Sequence, residues 1–221
     1  KAAAGTWQYA TKIPNSTLPD NGPTVVSDGD GAMAVWSHYD TATAKYSVVG
    51  SRYTKAKQFA SPVPIGDADL TDYVIMNDDN LASNGASFWV SWAQSVGASR
   101  NVYATHYDIA TSKWDALPTV VSDGESITGG SAAIGVDGHG NALVAFEQQG
   151  AQNSYLLMFS RFTASSGAWS PPAALSEDMK HYRSPLLSVA DNGVSSVVFE
   201  GGAREGSGVS PVVGAQVKIF R

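Results

Sequence analysis

The sequence predicts an all-β fold, a small β-propeller of four blades with four antiparallel strands each. Three observations predict it. An apolar stretch that ends in an aromatic residue recurs four times, a second aromatic–aliphatic pair recurs with it, and the fourth copy of that pair stands at the front of the chain. A closed ring accounts for all three, because the N-terminal segment of a propeller can complete the last blade and leave no strand edge unpaired.

The apolar stretch is the first landmark, and its closing aromatic residues are spaced by 56, 54 and 53 positions. Those aromatics are Trp36, Trp92, Phe146 and Phe199. Each stretch follows a segment rich in Asp, Asn and Gly, which are residues that tolerate the positive φ of tight turns. The stretch is therefore interpreted as the second strand of a blade, with its aromatic packed between blades.

The second landmark is an aromatic residue followed six positions later by an aliphatic one, which we interpret as the outer strand of a blade. Its copies are Phe59 and Ile65, Trp114 and Val120, Trp169 and Leu175, and, at the N-terminus, Trp7 and Ile13. The chain is thus predicted to be one domain, 1–221. Its blades are expected at about 22–66, 72–121, 130–176, and 184–221 completed by 5–14.

Two stretches carry a resemblance to a known group. Val136–Phe146 and Ser160–Trp169 resemble repeats of the sialidase-type (BNR) propeller superfamily, and more closely the tandem repeats of exported bacterial proteins. The resemblance implies a propeller, with sugar binding or hydrolysis in some members. The sialidase Asp-box is only approximated at 163–169, where Ser165 replaces the aspartate and the tryptophan comes one position early. Fold and not activity is therefore carried over.

Composition excludes several classes of partner. The net charge of −6 and the pI of about 5.0 argue against binding to nucleic acid or to anionic lipid. There is no cysteine, so thiol catalysis, disulfides and thiolate metal sites are excluded. The sequence has no run of about 18 apolar residues, so membrane insertion is not expected. The abundance of Ser, Thr, Gly, Asn and Trp suggests an extracellular, periplasmic or cell-surface protein whose signal peptide has been removed. The expected partner is a glycan or an extracellular protein.

Polar residues concentrate where a propeller would gather its loops. The loops from the second to the third strand, and from the fourth strand to the next blade, share one face, here the upper face; the other turns share the lower face. An aromatic ring surrounded by polar groups suits a sugar, and Tyr182 or Tyr39 could supply the ring. The candidate binding residues are His38, Tyr39, Gln94, Arg100, Gln148, Asp178, His181, Tyr182, Arg183, Glu200 and Arg204.

Catalytic and metal signatures are weaker. No hydrolase, metalloprotease or nucleotide-binding motif is present, and the four histidines lack metal-ligand spacing. Glu147 and Glu200 follow equivalent aromatics, so they could form a carboxyl pair for glycoside hydrolysis or a repeated structural hydrogen bond. Arg52 and Arg161 occupy equivalent positions, which suggests a structural role. The acidic turns of the lower face, such as that at Asp137, read as ordinary hairpin turns, with calcium as the alternative.

The function predicted first is therefore an exported, non-catalytic binding module that presents a propeller face to a glycan or a partner protein, with no catalytic residues and no cofactor. The first alternative is a glycoside hydrolase or another glycan-active enzyme that uses carboxylates at the propeller mouth. The second alternative is a structural subunit of a surface assembly.

Overall fold

The computed structural model describes residues 12–14, 16, 20–65, 73–76, 79–97, 99–123, 132–149, 155–176, 181–202, 204–205, 208–209 and 214–220. Within these residues the fold is an all-β propeller, built of successive antiparallel meanders with no helix, as the sequence predicts. The described part of the chain holds no helix long and apolar enough to cross a membrane.

Blades 1 and 2 each place an inner strand, two long central strands and a split outer strand side by side. The strands of blade 1 are β1 (Asp20–Ser27), β2 (Gly31–Asp40), β3 (Lys45–Thr54), β4 (Gln58–Phe59) and β5 (Val63–Pro64). In blade 2 the inner strand is split as well. Its strands are β6 (Tyr73–Ile75), β7 (Leu81–Ser83), β8 (Ser87–Val96), β9 (Ser99–Asp108), β10 (Lys113–Trp114) and β11 (Thr119–Val120).

Blade 3 repeats this order, and the described strands of blade 4 follow it as far as the third strand, with a small hairpin inserted. The strands of blade 3 are β12 (Ala132–Val136), β13 (Ala142–Gln149), β14 (Tyr155–Thr163), β15 (Ala168–Trp169) and β16 (Ala173–Ala174). The described strands of blade 4 are β17 (His181–Val189), β18 (Ser195–Gly202), the small hairpin of β19 (Arg204–Glu205) and β20 (Gly208–Val209), and β21 (Gly214–Phe220). A parallel bridge between Tyr155 and His181 joins the two blades.

The turns between the first and second strands are built by the side chains that the sequence singled out. In blades 1 to 3 a side-chain oxygen accepts backbone N–H groups two and three or four residues further on; the acceptors are Asp28, Asn84 and Asp137. A glycine with positive φ completes each of these turns, for example Gly85 at 84°. These hairpins are therefore specified locally by turn chemistry.

The apolar core lies in the contacts between neighbouring blades, which we call seams 1–2, 2–3 and 3–4. Alternate residues of each second strand face the preceding blade, as strand geometry requires. In seam 1–2, for example, Phe88 and Trp92 of blade 2 pack with Met33 and Val35 of blade 1. Trp36, Trp92, Phe146 and Phe199 are all buried, so the predicted packing role of the repeated aromatics is confirmed.

One residue of the second landmark is corrected by the structure. Ile65 and Leu175 are buried, and each donates its backbone N–H to the third strand of its blade. In blade 2 this place belongs to Val121, whose N–H bonds to Val102, whereas the predicted Val120 is 43% exposed. The connection after Trp114 is one residue longer than its counterparts, which shifts the buried position.

The N-terminal segment is described only in part. Ile13 packs against Ala34 and Trp36 of blade 1. Leu175 makes the corresponding contact with Val197 and Phe199 of blade 4. Ile13 therefore packs on blade 1 in the way that the end of an outer strand packs on the blade that follows it. Trp7 and the rest of 5–11 lie outside the described residues, so their pairing with β21 stays a prediction.

Candidate functional site

The structure first corrects where the predicted binding residues lie. Most of them belong to strands and not to loops, because β2 and β8 are each 10 residues long and their connections to the next strands are short. His38, Tyr39, Gln94, Arg100, Gln148, Tyr182, Arg183 and Glu200 all lie within strands. Asp178 lies outside the described residues, as do the side chains of His181 and Arg204.

In blade 1 the predicted polar side chains are engaged within their own blade. His38 Nδ1 lies 2.7 Å from Asp20 Oδ1. The ring of Tyr39 contacts that of Tyr46 with centroids 4.8 Å apart. These contacts join neighbouring strands and account for both side chains structurally.

The predicted residues of blade 2 are likewise engaged within their own blade. Gln94 is buried and accepts a hydrogen bond from Trp92 Nε1 at 2.9 Å. Arg100 Nε donates to Ser95 Oγ across the β8–β9 hairpin at 3.0 Å. Neither arrangement places these side chains with the predicted residues of blades 3 and 4.

Tyr182 cannot serve as the predicted sugar platform. Its side chain is only 4% exposed and packs edge-on against Phe199, with ring centroids 5.4 Å apart. Tyr182 therefore belongs to the core of seam 3–4, because β17 begins before it and turns its ring inward. The sequence prediction treated as a loop what is the start of a strand.

The upper end of seam 3–4 does bring chemistry-bearing residues together. We call Glu147, Tyr155, Arg183, Ser184 and Glu200 the upper cluster. Glu147 is near the end of β13, and Ser184 on β17 donates its backbone N–H to Glu147 Oε1 at 2.7 Å. Arg183 stands directly opposite Glu200 in the β17–β18 pairing. The guanidinium carbon of Arg183 lies 5.0 Å from the ring centroid of Tyr155.

A backbone irregularity creates the contact between Ser184 and Glu147. The β17–β18 register shifts between Arg183 and Leu186, and Ser184 has a φ of 53°, in the left-handed region. Pro185 follows and has no N–H to offer the ladder. This bulge turns the N–H of Ser184 away from β18 and toward blade 3, where the carboxyl group of Glu147 accepts it.

The electrostatics of the upper cluster raise the pKa of Glu147. Burial is the main cause that raises the pKa of Glu147, since its side chain is only 4% exposed. The negative charge of Glu200 raises it further, whereas the N–H of Ser184 and the charge of Arg183 lower it. The balance leaves the pKa above the ordinary value of 4.5, while Glu200 itself is exposed to solvent.

Gln148 lies on the opposite side of β13 from Glu147. It is buried and donates from Nε2 to Asp123 Oδ2 at 2.7 Å. Its Oε1 atom is also buried and has no hydrogen-bond partner among the described residues. Gln148 thus links blade 3 to the end of blade 2, on the other face of the strand from the upper cluster.

The described residues contain no group of three or more His, Asp or Glu side chains that could hold a metal ion. The turn carboxylates that suggested calcium have other partners. Asp28 forms an ion pair with Arg52, and Asp137 accepts hydrogen bonds from its own turn. Asp28 and Asp137 therefore both stabilise their own turns.

Sequence reasoning identified part of the upper cluster. It noted Glu147 and Glu200 as a carboxyl pair, but it placed Glu147 outside the binding residues and missed Tyr155 and Ser184. The dipeptide Ser184-Pro185 inside an apolar strand was the available signal, since proline within a strand marks an edge or a bulge.

Comparison with known proteins identifies structural neighbours. No protein-family model and no curated protein sequence matches the chain. A PL25 polysaccharide lyase, an ulvan lyase bound to -[GlcA(1-4)Rha3S]-, matches with TM-score 0.54 and 10% identity, over 89% of this chain and 54% of that one. An α-L-arabinofuranosidase from Lactobacillus brevis matches with TM-score 0.51 and 12% identity, over 90% and 71%. The β-propeller domain of the trilobed protease from Pyrococcus furiosus gives 0.49 and 10%, over 91% and 54%.

These neighbours contradict the function predicted first, the non-catalytic binding module. The two with the higher TM-scores of the three are an α-L-arabinofuranosidase and a polysaccharide lyase, and both are enzymes that act on glycans. At 10–12% identity the likeness establishes the fold alone. The activity therefore has to be argued from the residues of this chain.

Proposed function

We propose that this protein is a glycan-active enzyme that hydrolyses a glycosidic bond at the upper end of seam 3–4. The observation that carries the proposal is a buried carboxyl group with a raised pKa, Glu147, whose pKa is raised in part by the charge of a second, exposed carboxyl group, Glu200. Glycoside hydrolysis requires such a pair, one group protonated and one ionised, set apart by their environments.

Glu147 suits the role of proton donor. Its Oε1 atom accepts the N–H of Ser184 at 2.7 Å, which fixes the carboxyl group and leaves Oε2 to carry the proton. The raised pKa keeps that proton available at a higher pH than an ordinary glutamate would. Donation to the glycosidic oxygen lets the bond between that oxygen and the anomeric carbon break, and the leaving sugar departs as an alcohol.

Glu200 suits the role of the second carboxylate. It is exposed to solvent, and its position opposite Arg183 places it at the edge of the same cluster. It either takes a proton from a water molecule that attacks the anomeric carbon, or it attacks that carbon itself and is released by water. In both routes one water is consumed, and Glu147 recovers its proton by the end of the cycle.

Arg183 and Tyr155 suit the binding of the sugar beside the two carboxyl groups. The guanidinium of Arg183 is exposed and lies over the half-buried ring of Tyr155. A planar donor and an aromatic face together offer a hydroxyl-bearing ring both hydrogen bonds and an apolar surface. The glycan-active neighbours support this choice of substrate class, and we propose the extracellular, periplasmic or cell-surface location as its setting.

The proposal is tested by measuring reducing-end release from a panel of arabinan, arabinoxylan, xylan and ulvan. Glu147→Gln and Glu200→Gln should each lower kcat by 100-fold or more, on the order of general acid–base contributions. Asp30→Asn is the matched control, because this carboxylate is fully exposed in a lower-face turn and should leave turnover unchanged. Full activity of Glu147→Gln, or products that carry a new double bond, would contradict hydrolysis by this pair.

The pH profile gives a second test that a structural role would not move. Activity requires a protonated Glu147, so kcat/KM should fall as the pH rises through the raised pKa of Glu147. The charge of Arg183 lowers that pKa, and Arg183→Met should therefore move the alkaline limb to higher pH. Lys113→Met removes an exposed charge in blade 2 and should leave the limb in place. An unshifted limb in Arg183→Met would rule Glu147 out as the titrating acid.

A further inference from the structure

A cavity of about 300 Å³ lies between blades 3 and 4 at the lower end of the seam, away from the upper cluster. Blade 3 supplies polar turn residues and an arginine, and blade 4 supplies a turn and the start of β18. Its lining includes Asp137, His139, Leu143, Arg161, Val189 and Ser195. We call this the lower cavity.

The lower cavity lies where blade 4 carries a small residue, Ser195. In seam 1–2 the corresponding space is filled by Phe88, which is fully buried and lies under Arg52, whose guanidinium carbon is 4.8 Å from the ring centroid. Ser195 of blade 4 is the counterpart of Phe88, four residues before the repeated aromatic of its blade. The exchange of a benzyl side chain for a hydroxymethyl side chain leaves the seam open between Arg161 and the first turn of blade 4.

The same comparison shows why Arg161 lines this space with no side-chain partner in the described part of the chain. Arg52, its counterpart, donates to the backbone oxygens of Ala32 and Tyr53 at 2.8 Å each and pairs with Asp28. That position depends on Gly31, because a Cβ there would lie 2.9 Å from the guanidinium carbon of Arg52.

In blade 3 the counterpart of Gly31 is Asn141. The side-chain amide of Asn141 takes the place of the arginine and donates to Asp137 Oδ2 at 2.8 Å. The side chain of Arg161 is displaced and exposed, with no hydrogen bond or ion pair among the described residues. A guanidinium that is structural in blade 1 is therefore available to a ligand in blade 3, which corrects the structural role that the sequence suggested for Arg161.

We propose that the lower cavity binds a neutral sugar unit, a second site separate from catalysis. Arg161 offers planar donors, and Asp137 offers a carboxylate that several hydrogen bonds hold in place. The opposite charges of these two groups disfavour a charged ligand and favour one that donates and accepts, as vicinal hydroxyls do. Leu143 and Val189 form an apolar wall for a ring face, and the volume suits one small ligand.

The ionisation of Asp137 agrees with a neutral ligand. Burial alone would raise the pKa of Asp137, but the hydrogen bonds from Asn141 and from the amide of His139 outweigh it and lower the pKa. The carboxylate is therefore ionised at neutral pH and repels carboxylate or sulfate groups that Arg161 would otherwise attract.

The experiment is a titration of the ¹⁵N-labelled full chain with D-xylose, L-arabinose or D-galactose, and separately with D-glucuronate. A neutral sugar should give saturable amide shifts at 139–141 and 189–195, with a Kd of about millimolar order. Arg161→Met should weaken this binding at least tenfold, and Ser195→Phe, which restores the blade 2 residue, should do the same by filling the cavity. Lys55→Met removes an exposed lower-face charge and should bind as the parent chain does.

The outcomes separate this site from the proposed activity. Glu147→Gln should lose turnover but keep sugar binding at the lower cavity. The binding titration does not depend on the hydrolysis assay, so it tests the lower cavity even if no substrate is cleaved. Absence of saturable shifts with all three neutral sugars, or preferential binding of glucuronate, would overturn the inference. Unchanged binding in Arg161→Met would overturn it as well, and that exposed substitution does not endanger folding.

Discussion

Seams 1–2 and 3–4 are built from equivalent positions of the repeat, yet one is closed and the other is open at its lower end and charged at its upper end. At the lower end Arg52 and Phe88 fill seam 1–2, whereas Arg161 and Ser195 leave a cavity in seam 3–4. At the upper end the residue after the aromatic is Ser37 in blade 1 and Glu147 in blade 3. The difference teaches that equivalent positions of one repeat can close one seam and form a site in another.

The largest expected difference in stability comes from removing the aromatic ring that fills seam 1–2. Phe88→Ala should destabilise the fold by about 3–5 kcal/mol, because it removes a fully buried aromatic and leaves a cavity. Ser195→Ala, at the equivalent position, should cost less than about 1 kcal/mol, because the space beside it is already open and only its hydrogen bond to Gly193 is lost. Urea unfolding of both variants measures the contrast, and equal losses would show that the seams are packed alike.

The two arginines give the next largest contrast. Arg52→Met should cost about 2–3 kcal/mol, because it leaves the nearly buried carboxylate of Asp28 without its cation. Arg161→Met should change stability by no more than about 0.5 kcal/mol, since its side chain is exposed. Thermal and urea unfolding at neutral pH compare them. A loss of similar size in Arg161→Met would mean that its guanidinium is structural and not available to a ligand.

The sequence predicted what local chemistry determines. Asp28, Asn84 and Asp137 cap their own turns through hydrogen bonds within a few residues, so the hairpins could be read from the chain. The aromatics of the second strands could be read from their spacing, since a period-two strand commits them to one seam. These are the features that survived comparison with the structure without change.

The parts that sequence did not predict depend on long-range packing. The contact of Ser184 with Glu147 joins residues 37 positions apart and requires a bulge whose place is set by how β17 meets two blades at once. The burial of Tyr182 and the shift from Val120 to Val121 likewise follow from where a strand begins or how long a connection is. A repeat pattern shows which positions are equivalent, but it does not show where a strand begins, where a bulge lies or how long a connection is.

The smallest expected effect concerns seam 2–3, where His106 stands at the position of Arg52 and Arg161. Its Nδ1 atom lies 2.7 Å from Asp115 Oδ2, and its ring stacks on Trp89 with centroids 4.7 Å apart. The hydrogen bond to Asp115 raises the pKa of His106 above the ordinary value of 6.5. The stability that this pair contributes is therefore fully present below pH 6.5 and is lost as the pH rises through the raised pKa.

His106→Gln should remove that pH dependence. Between pH 6 and a pH near 9, the stability difference between the parent chain and His106→Gln should shrink by about 0.3–0.5 kcal/mol, a small effect because about a third of each side chain is exposed. The same comparison for Arg52→Met should show no such change, since a guanidinium keeps its charge across this range. Melting both variants and the parent chain at the two pH values measures it. A constant difference for His106→Gln would show that the imidazole is held by stacking on Trp89 and not by its charge.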